Sequence, residues 1–267
     1  MLKDITIGQY YPADSAIHKL DPRVKIIATV IYIVSLFVTN DWIGYLAAFL
    51  FLAACIKISK VPLSFILKGM KSIAFLLGIT VVFNLIFTPG EEVLVTFWKI
   101  TITEKGLEMA VRMAIRLSFL IVGTSLMTLT TTPNQLTNAL ERLMKPLSFM
   151  LPVHEIAMMM SIALRFIPIL MEETDKIMKA QMARGADFET GNIIVRIKNM
   201  VPLLVPLFIS AFRRANDLAM AMEARCYHGG EGRTKMKLLR YGRNDYIAFL
   251  LGIVLLAVIF TLVHFGL

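Results

Sequence analysis

YIAFLLGIVLLAVIFTLVHF, residues 246–265, is the stretch that decides the fold class of this chain. It holds no charged side chain between Asp245 and His264. Twenty residues of helix extend about 30 Å, which matches the hydrocarbon thickness of a bilayer. The whole chain of 267 residues is 57% hydrophobic and only 18% charged, whereas about a quarter of the residues of a soluble domain are charged. The sequence therefore predicts an all-α integral membrane protein.

Four more apolar runs precede this one and bring the expected number of membrane spans to about five. They are Ile26–Thr39, Trp42–Ile56, Ile73–Thr88 and Leu107–Leu129. The first two runs are separated only by Asn40 and Asp41, and each extends only about 22 Å as a helix. We therefore expect a hairpin that turns at these two residues, with flanking residues completing each crossing.

The fourth run is unusual because Arg112 and Arg116 lie in its first turns. Glu108 lies one helical turn before Arg112, so these two side chains are expected to pair. Both arginines can extend to the outer membrane interface. A contact with another membrane component is the functional alternative.

Positive charge is distributed unevenly along the chain, which has a net charge of +9. The basic residues around the first two runs are Lys3, Lys19, Arg23, Lys25, Lys57, Lys60, Lys68 and Lys71. The block 132–245, between the fourth and fifth runs, holds sixteen Lys or Arg against eleven Asp or Glu. Because Lys and Arg mark cytoplasmic segments, we expect a cytoplasmic N-terminus, five crossings and an outer C-terminus. The basic bias then follows from topology and does not indicate nucleic-acid binding.

The expected organisation is a membrane region of residues 1–131, a large cytoplasmic helical block of residues 132–245 and a C-terminal span of residues 246–267. The spacing of apolar residues predicts three helices in the block. The first begins at Pro133, the second runs from about His154 to Arg184, and the third runs from about Pro202 or Pro206 to Arg225. Pro168 is expected to kink the second of them. Their apolar parts are short and interrupted by Arg165 or by proline, so we expect both long helices to pack beneath the membrane.

Two stretches of this block, KAQMARGAD and LAMAMEARCYHGG, share the pattern Ala-x-x-Ala-Arg. The residues of this pattern are Ala180, Ala183 and Arg184 in the first stretch, and Ala221, Ala224 and Arg225 in the second. Residues three apart share a helix face, so each alanine pair makes a shallow patch at which another helix can cross closely. Gly185 suits a helix C-cap, and the helix dipole favours a cation just before it. The arginines either only complement helix ends or present guanidinium groups to a cytoplasmic partner.

Three motifs carry a resemblance to a known family. HKLDPRVK (residues 18–25), MARGAD (residues 182–187) and RRANDLAMAMEARCYHGGEGRT (residues 213–234) resemble the transmembrane coupling subunit, or T component, of energy-coupling factor transporters. The resemblance covers nearly the whole chain, including the number of spans and the place of the cytoplasmic block. It departs at Cys226, where the second motif lacks the glycine of the first, so the sequence leaves the end of that helix open.

The resemblance implies a non-catalytic subunit in the cell membrane of a prokaryote. Such subunits join two cytoplasmic ABC-type ATPases to a small membrane-embedded substrate-binding component that takes up a vitamin or a transition-metal ion. ATP and Mg are used by the ATPases, and the chain itself binds no cofactor. Carried over residue by residue, Arg184 and Arg225 each dock on one ATPase, with Ala183, Gly185 and Ala224 shaping the helix ends. The difference between Gly185 and Cys226 predicts two unequal ATPases.

Methionines crowd one part of the cytoplasmic block. They are Met144, Met150, Met158, Met159, Met160, Met171, Met178 and Met182. Methionine side chains are flexible and adapt to more than one partner. They indicate either a surface shared by several binding components or the filling of irregular helix crossings.

The sequence offers no pattern for catalysis or for a metal site. Gly229–Thr234, GGEGRT, lacks the lysine of a phosphate-binding loop, and the four histidines are scattered. Cys55 and Cys226 are expected to stay unpaired, and the polar first residues predict no cleavable signal peptide. A self-sufficient secondary transporter is the main alternative, but it would show inverted repeats and polar residues near the membrane midplane. A membrane-embedded enzyme would need ionisable groups inside its spans.

Overall fold

The computed structural model describes residues 10–39, 41–89, 93–97, 100–188, 192–230, 232 and 239–265. The elements in this part of the chain are α1 (Ala16–Lys19), α2 (Pro22–Val38), α3 (Trp42–Ser59), α4 (Leu63–Phe87), β1 (Val93–Phe97), β2 (Ile100–Thr103), α5 (Glu104–Thr130), α6 (Pro133–Leu143), a 3₁₀ helix (Lys145–Phe149), α7 (Val153–Ala183), α8 (Ile193–Glu223) and α9 (Arg243–Phe265). The two short strands pair as one antiparallel hairpin. Apart from this hairpin, the predicted all-α membrane fold is confirmed.

Four described helices are long and apolar enough to cross a membrane, namely α3, α5, α7 and α9. A fifth is α4 if it counts as one span, since Leu63–Lys71 and Ile73–Phe87 meet at a bend of 60°. The helix α2 has 17 residues, which is at the lower end of the length of a membrane span. The expected number of about five is confirmed, but α7 qualifies as a span although the sequence placed it beneath the membrane. Its position therefore stays a prediction.

The structure contains both helices of the first predicted hairpin of spans, α2 and α3. Asp21 caps α2, because its carboxylate accepts the backbone N–H of Arg23 at 2.9 Å, and Pro22 occupies the first helical position, where its missing N–H costs nothing. The helix ends at Val38 and α3 begins at Trp42. Asn40, in the predicted turn, lies outside the described residues.

The chain divides into two compact units. The first, which we call the core unit, comprises residues 8–139 and 239–267. In it α2 packs on α9 and on α5, and α4 packs on α5. Its buried apolar cluster consists of Tyr32, Leu36, Ala48, Leu52, Leu255 and Ile259. Gly123 permits the close approach of α5 to α2, because a Cβ atom there would lie 2.6 Å from Cε1 of Tyr32.

The second unit, which we call the long-helix unit, contains residues 140–238. Its main elements are α7 and α8, each 31 residues long and packed on one another. The start of α7 confirms the predicted helix from about His154, and the helix is continuous through Pro168. The predicted start of the third helix at Pro202 or Pro206 is wrong, since α8 begins at Ile193 and includes both prolines.

The physical reason for this error lies in a side chain of the neighbouring helix. Pro206 has no N–H, so the carbonyl of Pro202, four residues earlier, loses its helical donor. The side-chain amide of Gln181 on α7 donates to that carbonyl at 3.3 Å. A proline is tolerated inside a helix when another group satisfies the carbonyl it frees. This compensation comes from a distant residue and is not visible in the local sequence.

Candidate functional site: the two arginine helix ends

The C-terminal end of α7 holds Arg184 in a defined hydrogen-bonded motif. Gly185 follows it with φ +88°, in the left-handed region, and its N–H donates to the carbonyl of Met182 at 3.0 Å. The N–H of Ala186 donates to the carbonyl of Gln181, also at 3.0 Å. These two bonds define a Schellman motif. Arg184 is its C-cap residue, as the position of Gly185 in the sequence predicts.

The end of α8 repeats this motif with a different residue in the left-handed position. Cys226 has φ +54°, and its N–H donates to the carbonyl of Glu223 at 2.8 Å. The N–H of Tyr227 donates to the carbonyl of Met222 at 3.1 Å. Arg225 therefore occupies the same C-cap position as Arg184. The sequence left this helix end open at Cys226, and the structure shows that the motif forms without glycine.

Both arginines are exposed, and so are the alanines that precede them, Ala180, Ala183, Ala221 and Ala224. Within the described part of the chain, neither guanidinium group takes part in an ion pair or a side-chain hydrogen bond. Ala180 and Ala221, which the sequence predicts to lie at helix crossings, are not covered by another helix of their own unit. Their role as crossing points therefore stays a prediction about a partner.

The helices α7 and α8 run antiparallel to one another. Three cross-helix contacts establish this direction, namely Glu173 Oε2 to Arg214 Nη2 at 3.2 Å, Gln181 Nε2 to the carbonyl of Pro202 at 3.3 Å, and Asn199 Nδ2 to the carbonyl of Asp187 at 2.7 Å. Arg184 therefore lies beside the first third of α8, and Arg225 lies just beyond its far end. At 1.5 Å per residue, the helix between Pro202 and Glu223 separates the two arginines by about 30 Å.

The chain after Arg225 folds back onto the start of α7. A Cβ atom at Gly230 would lie 2.6 Å from Cδ2 of His154, so the backbone rests directly on the imidazole ring. His154 Nδ1 lies 3.1 Å from the carboxylate of Glu141 near the end of α6. This packing places the segment that follows Arg225 against α7, at a histidine that is itself held by α6.

Half of the methionines that the sequence singles out are exposed. They are Met150, Met159, Met160 and Met182, while Met144, Met158, Met171 and Met178 are partly buried. Large apolar side chains of α8 are also exposed, including Val205, Phe208, Ile209 and Phe212. Such an apolar surface marks contact with another protein or with lipid.

The two arginines of α5, Arg112 and Arg116, both contact polar groups of the core unit. Arg112 pairs with Glu108, which confirms the predicted pair. Arg116 instead donates from Nη2 to the carbonyl of Thr39 at 2.8 Å and from Nε to the hydroxyl of Tyr45 at 3.1 Å. Sequence reasoning missed this role because the acceptors are more than seventy residues away. Arg116 holds the end of α2 beside α5 and α3.

Polar chemistry elsewhere in the described residues is sparse. No group of three or more His, Cys, Asp or Glu side chains in this part of the chain is placed to hold a metal ion. Cys55 and Cys226 are both free thiols.

Comparisons with known proteins agree with this architecture. The family model described as CbiQ, cobalt transport protein, matches residues 13–236. The "Energy-coupling factor transporter transmembrane protein EcfT" of Clostridium kluyveri is 58% identical over 260 residues, which cover 97% of this chain and 96% of the relative. The protein of the same name from Acidaminococcus fermentans is 51% identical over 99% of this chain and 97% of its own length. That from Bacillus subtilis is 45% identical over 98% and 99%.

Proposed function

Because the chain belongs to the family of energy-coupling factor transporter transmembrane proteins, we propose that it couples ATP hydrolysis to the uptake of a micronutrient. Two cytoplasmic ABC-type ATPases supply the hydrolysis, and a membrane-embedded component binds the vitamin or metal ion that is imported. The chain itself is not the enzyme. ATP and Mg are bound by the ATPases, and this subunit binds no cofactor.

The observation that carries this proposal is the pair of equivalent arginine helix ends. Each guanidinium group stands exposed at the end of a 31-residue helix, on a backbone that its C-cap hydrogen bonds hold in place. A guanidinium group binds carboxylates and carbonyls with a fixed planar geometry. Two such groups about 30 Å apart suit one ATPase each, with Ala183 and Ala224 leaving room for the partner surface.

The proposed topology places the long-helix unit on the cytoplasmic side of the cell membrane. The N-terminus is then cytoplasmic and the C-terminus, after α9, is outside. The Lys and Arg residues that flank the first two spans support this orientation; they are Lys19, Arg23, Lys25, Lys57 and Lys60. In this arrangement α7 lies beneath the membrane despite its apolar composition, and its exposed methionines face a partner.

The exposed apolar side chains of α7 and α8 are the proposed contact for the substrate-binding component. Methionine adapts its shape to different surfaces, and promiscuous binding proteins use it for that purpose. The shape of the imported molecule is then selected by the binding component, while this chain supplies a common surface.

The proposal is tested by purifying the complex through a tag on this chain, from cells that also express the two ATPases and a binding component. Arg184→Ala, Arg225→Ala and the double variant are compared with the wild-type chain and with Arg213→Ala, which removes an exposed arginine from α8. We expect the double variant to lose the ATPases and the uptake of radiolabelled vitamins and Co²⁺, and the control to keep both. Unchanged ATPase binding and uptake in the double variant would refute the docking role. Uptake by the chain alone, driven by an ion gradient, would instead indicate a secondary transporter.

A further inference from the structure

Among the residues that the structure describes, the polypeptide passes between the core unit and the long-helix unit at two places. It leaves within α6, after residue 139, and it returns at residue 239. The end of α5 at Thr130 lies shortly before the first boundary, and the start of α9 at Arg243 lies shortly after the second. We call the end of α5, residues 129–130, the exit junction and residues 241–245 the return junction. Both are contacted, within the core unit, by one short segment, residues 18–25 with the sequence HKLDPRVK. The proposed docking of the two ATPases assigns no role to this segment.

At the exit junction, the segment binds the last carbonyl groups of α5. The Nζ of Lys25 donates to the carbonyl of Thr130 at 2.8 Å and to that of His18 at 3.3 Å. Lys25 is only 6% exposed. The final carbonyls of a helix have no partner within it, and a cation is favourable there. Lys25 therefore fastens the end of α5 to the start of α2.

A second connection supports the same place. The N–H of Tyr11 donates to the carbonyl of Leu129 at 2.9 Å, and the carbonyl of Tyr11 lies 3.0 Å from Nε2 of His18. A carbonyl can only accept, so Nε2 carries the proton and Nδ1 accepts from the hydroxyl of Ser15 at 2.7 Å. Burial lowers the pKa of His18, which favours this neutral ring.

At the return junction, the contact is made by a buried carboxylate. Asp245 is 6% exposed; its Oδ1 accepts the N–H of Asp21 and its Oδ2 accepts the N–H of Gly242, both at 2.7 Å. Short hydrogen bonds to an ionised group are among the strong ones in proteins. The side chain of Asp245 thus connects the first turn of α9 with Gly242, three residues earlier, and with Asp21, the N-cap residue of α2.

Arg23 adds a further link to the return junction. Its guanidinium group lies 4.0 Å from the centre of the Tyr241 ring and donates to the carboxylate of Asp21 at 2.8 Å. Burial acts to raise the pKa of Asp21, but the hydrogen bonds from Arg23 outweigh it, and the pKa lies below its ordinary value. The segment therefore contacts both junctions. Lys25 and Arg23 do so through charged side chains, and Asp21 does so through its backbone N–H, which donates to the carboxylate of Asp245.

We propose that His18, Asp21, Arg23 and Lys25 form a collar that holds the exit and return junctions together, so that movement of the long-helix unit is passed to α2, α5 and α9 as one body. This proposal rests on the proposed coupling function, and Lys25 and Asp245 are its positioning residues. A flexible junction would absorb a displacement imposed by the ATPases. A junction fixed by buried, charge-assisted hydrogen bonds has two discrete states, bonded or broken, and transmits the displacement while the bonds hold.

The test compares Lys25→Met and Asp245→Asn with wild type in purified complexes, containing both ATPases and the binding component, in proteoliposomes. The measured quantity is the amount of radiolabelled vitamin or Co²⁺ imported per ATP hydrolysed. We expect complexes that still contain both ATPases and hydrolyse ATP, but import at least about fivefold less per ATP, the lower end of common coupling effects. Lys25→Arg, which keeps a cation and its donors, should restore most of the ratio.

Lys19→Met is the matched control, because Lys19 pairs with Asp14 on the surface and makes no contact with either junction among the described residues. A wild-type ratio in both Lys25→Met and Asp245→Asn complexes would overturn the collar. If Lys25→Met does not assemble, Asp245→Asn decides alone, since it keeps the shape of the side chain. Loss of ATPases from the Arg184→Ala and Arg225→Ala variants tests docking separately, so failure of either proposal is recognised by itself.

Discussion

Arg184 and Arg225 occupy the same position of the same hydrogen-bonded helix end, forty-one residues apart in the chain. In each case the next residue adopts a positive φ, glycine at 185 and cysteine at 226. The repeated sequence Ala-x-x-Ala-Arg therefore corresponds to a repeated backbone structure. An arginine side chain is thus exposed in the same way at each of two opposite ends of a helical hairpin. This is the structural basis of the proposed docking to two ATPases.

Substitutions at the residues that follow the two arginines, Gly185 and Cys226, are expected to change the stability of the chain in opposite directions. A residue with a Cβ atom is strained in the left-handed region by about 1 kcal/mol relative to glycine. Cys226→Gly should therefore stabilise the chain, and Gly185→Ala should destabilise it, each by about 1 kcal/mol or about 3 °C in Tm. Thermal unfolding of the purified chain in detergent measures both.

Cys226→Ala provides the control for this pair of variants, because alanine also carries a Cβ atom and should leave Tm nearly unchanged. No Cβ clash accompanies the change at Gly185, where the added atom would meet nothing within 4 Å. A rise in Tm for Cys226→Ala equal to that for Cys226→Gly would show that the thiol, and not the backbone, is responsible.

The hydrogen bond from Gln181 to the carbonyl of Pro202 predicts a coupling between two helices. Gln181→Met should cost about 1 kcal/mol in the wild-type chain, because the carbonyl freed by Pro206 loses the donor that Gln181 supplies. In a Pro206→Ala background the backbone N–H returns, and the same change at Gln181 should cost little. A double-mutant cycle of unfolding free energies measures this coupling; additive effects would be inconsistent with it.

The close approach of α5 to α2 predicts that Gly123 cannot be enlarged. An added Cβ atom would lie 2.6 Å from Cε1 of Tyr32, and Tyr32 is only 4% exposed, so the ring cannot move freely. Gly123→Ala should destabilise the core unit by about 2 kcal/mol. Gly78→Ala, where nothing lies within 4 Å, is the matched change and should be nearly neutral. Unfolding in detergent distinguishes the two, and equal Tm values would contradict the contact.

Local patterns in the sequence were sufficient to predict most helices of the fold. The apolar run of residues 246–265 lies within α9, and Pro133 begins α6 as helix-start preferences indicate. Gly185 marks the end of α7. These features depend on residues within one or two helical turns, so a single sequence contains the information for them.

Long-range compensation explains what the sequence could not predict. The start of α8 was misplaced because Gln181, on another helix, satisfies the carbonyl that Pro206 frees. The role of Arg116 depends on Thr39 and Tyr45, and the contact of Asp21 with Asp245 spans 224 positions. At the helix end that holds Arg225, the backbone geometry of Cys226 was also beyond local rules, because non-glycine residues seldom adopt a positive φ.

The most direct test of the docking proposal is site-specific photocrosslinking from the two arginine helix ends. A photoreactive phenylalanine analogue replaces Ala183 in one variant and Ala224 in another, since both side chains are exposed beside their arginines. Phe75, 80% exposed on α4, is the control position. Crosslinked products are identified by mass spectrometry after activation in the membrane.

We expect each of the two positions to crosslink to an ATPase, and position 75 to crosslink to none. Two different ATPase polypeptides would support the prediction of unequal partners, and one polypeptide at both positions would refute that part alone. Crosslinks from position 183 or 224 to the membrane-embedded binding component, with no ATPase product, would contradict the central claim.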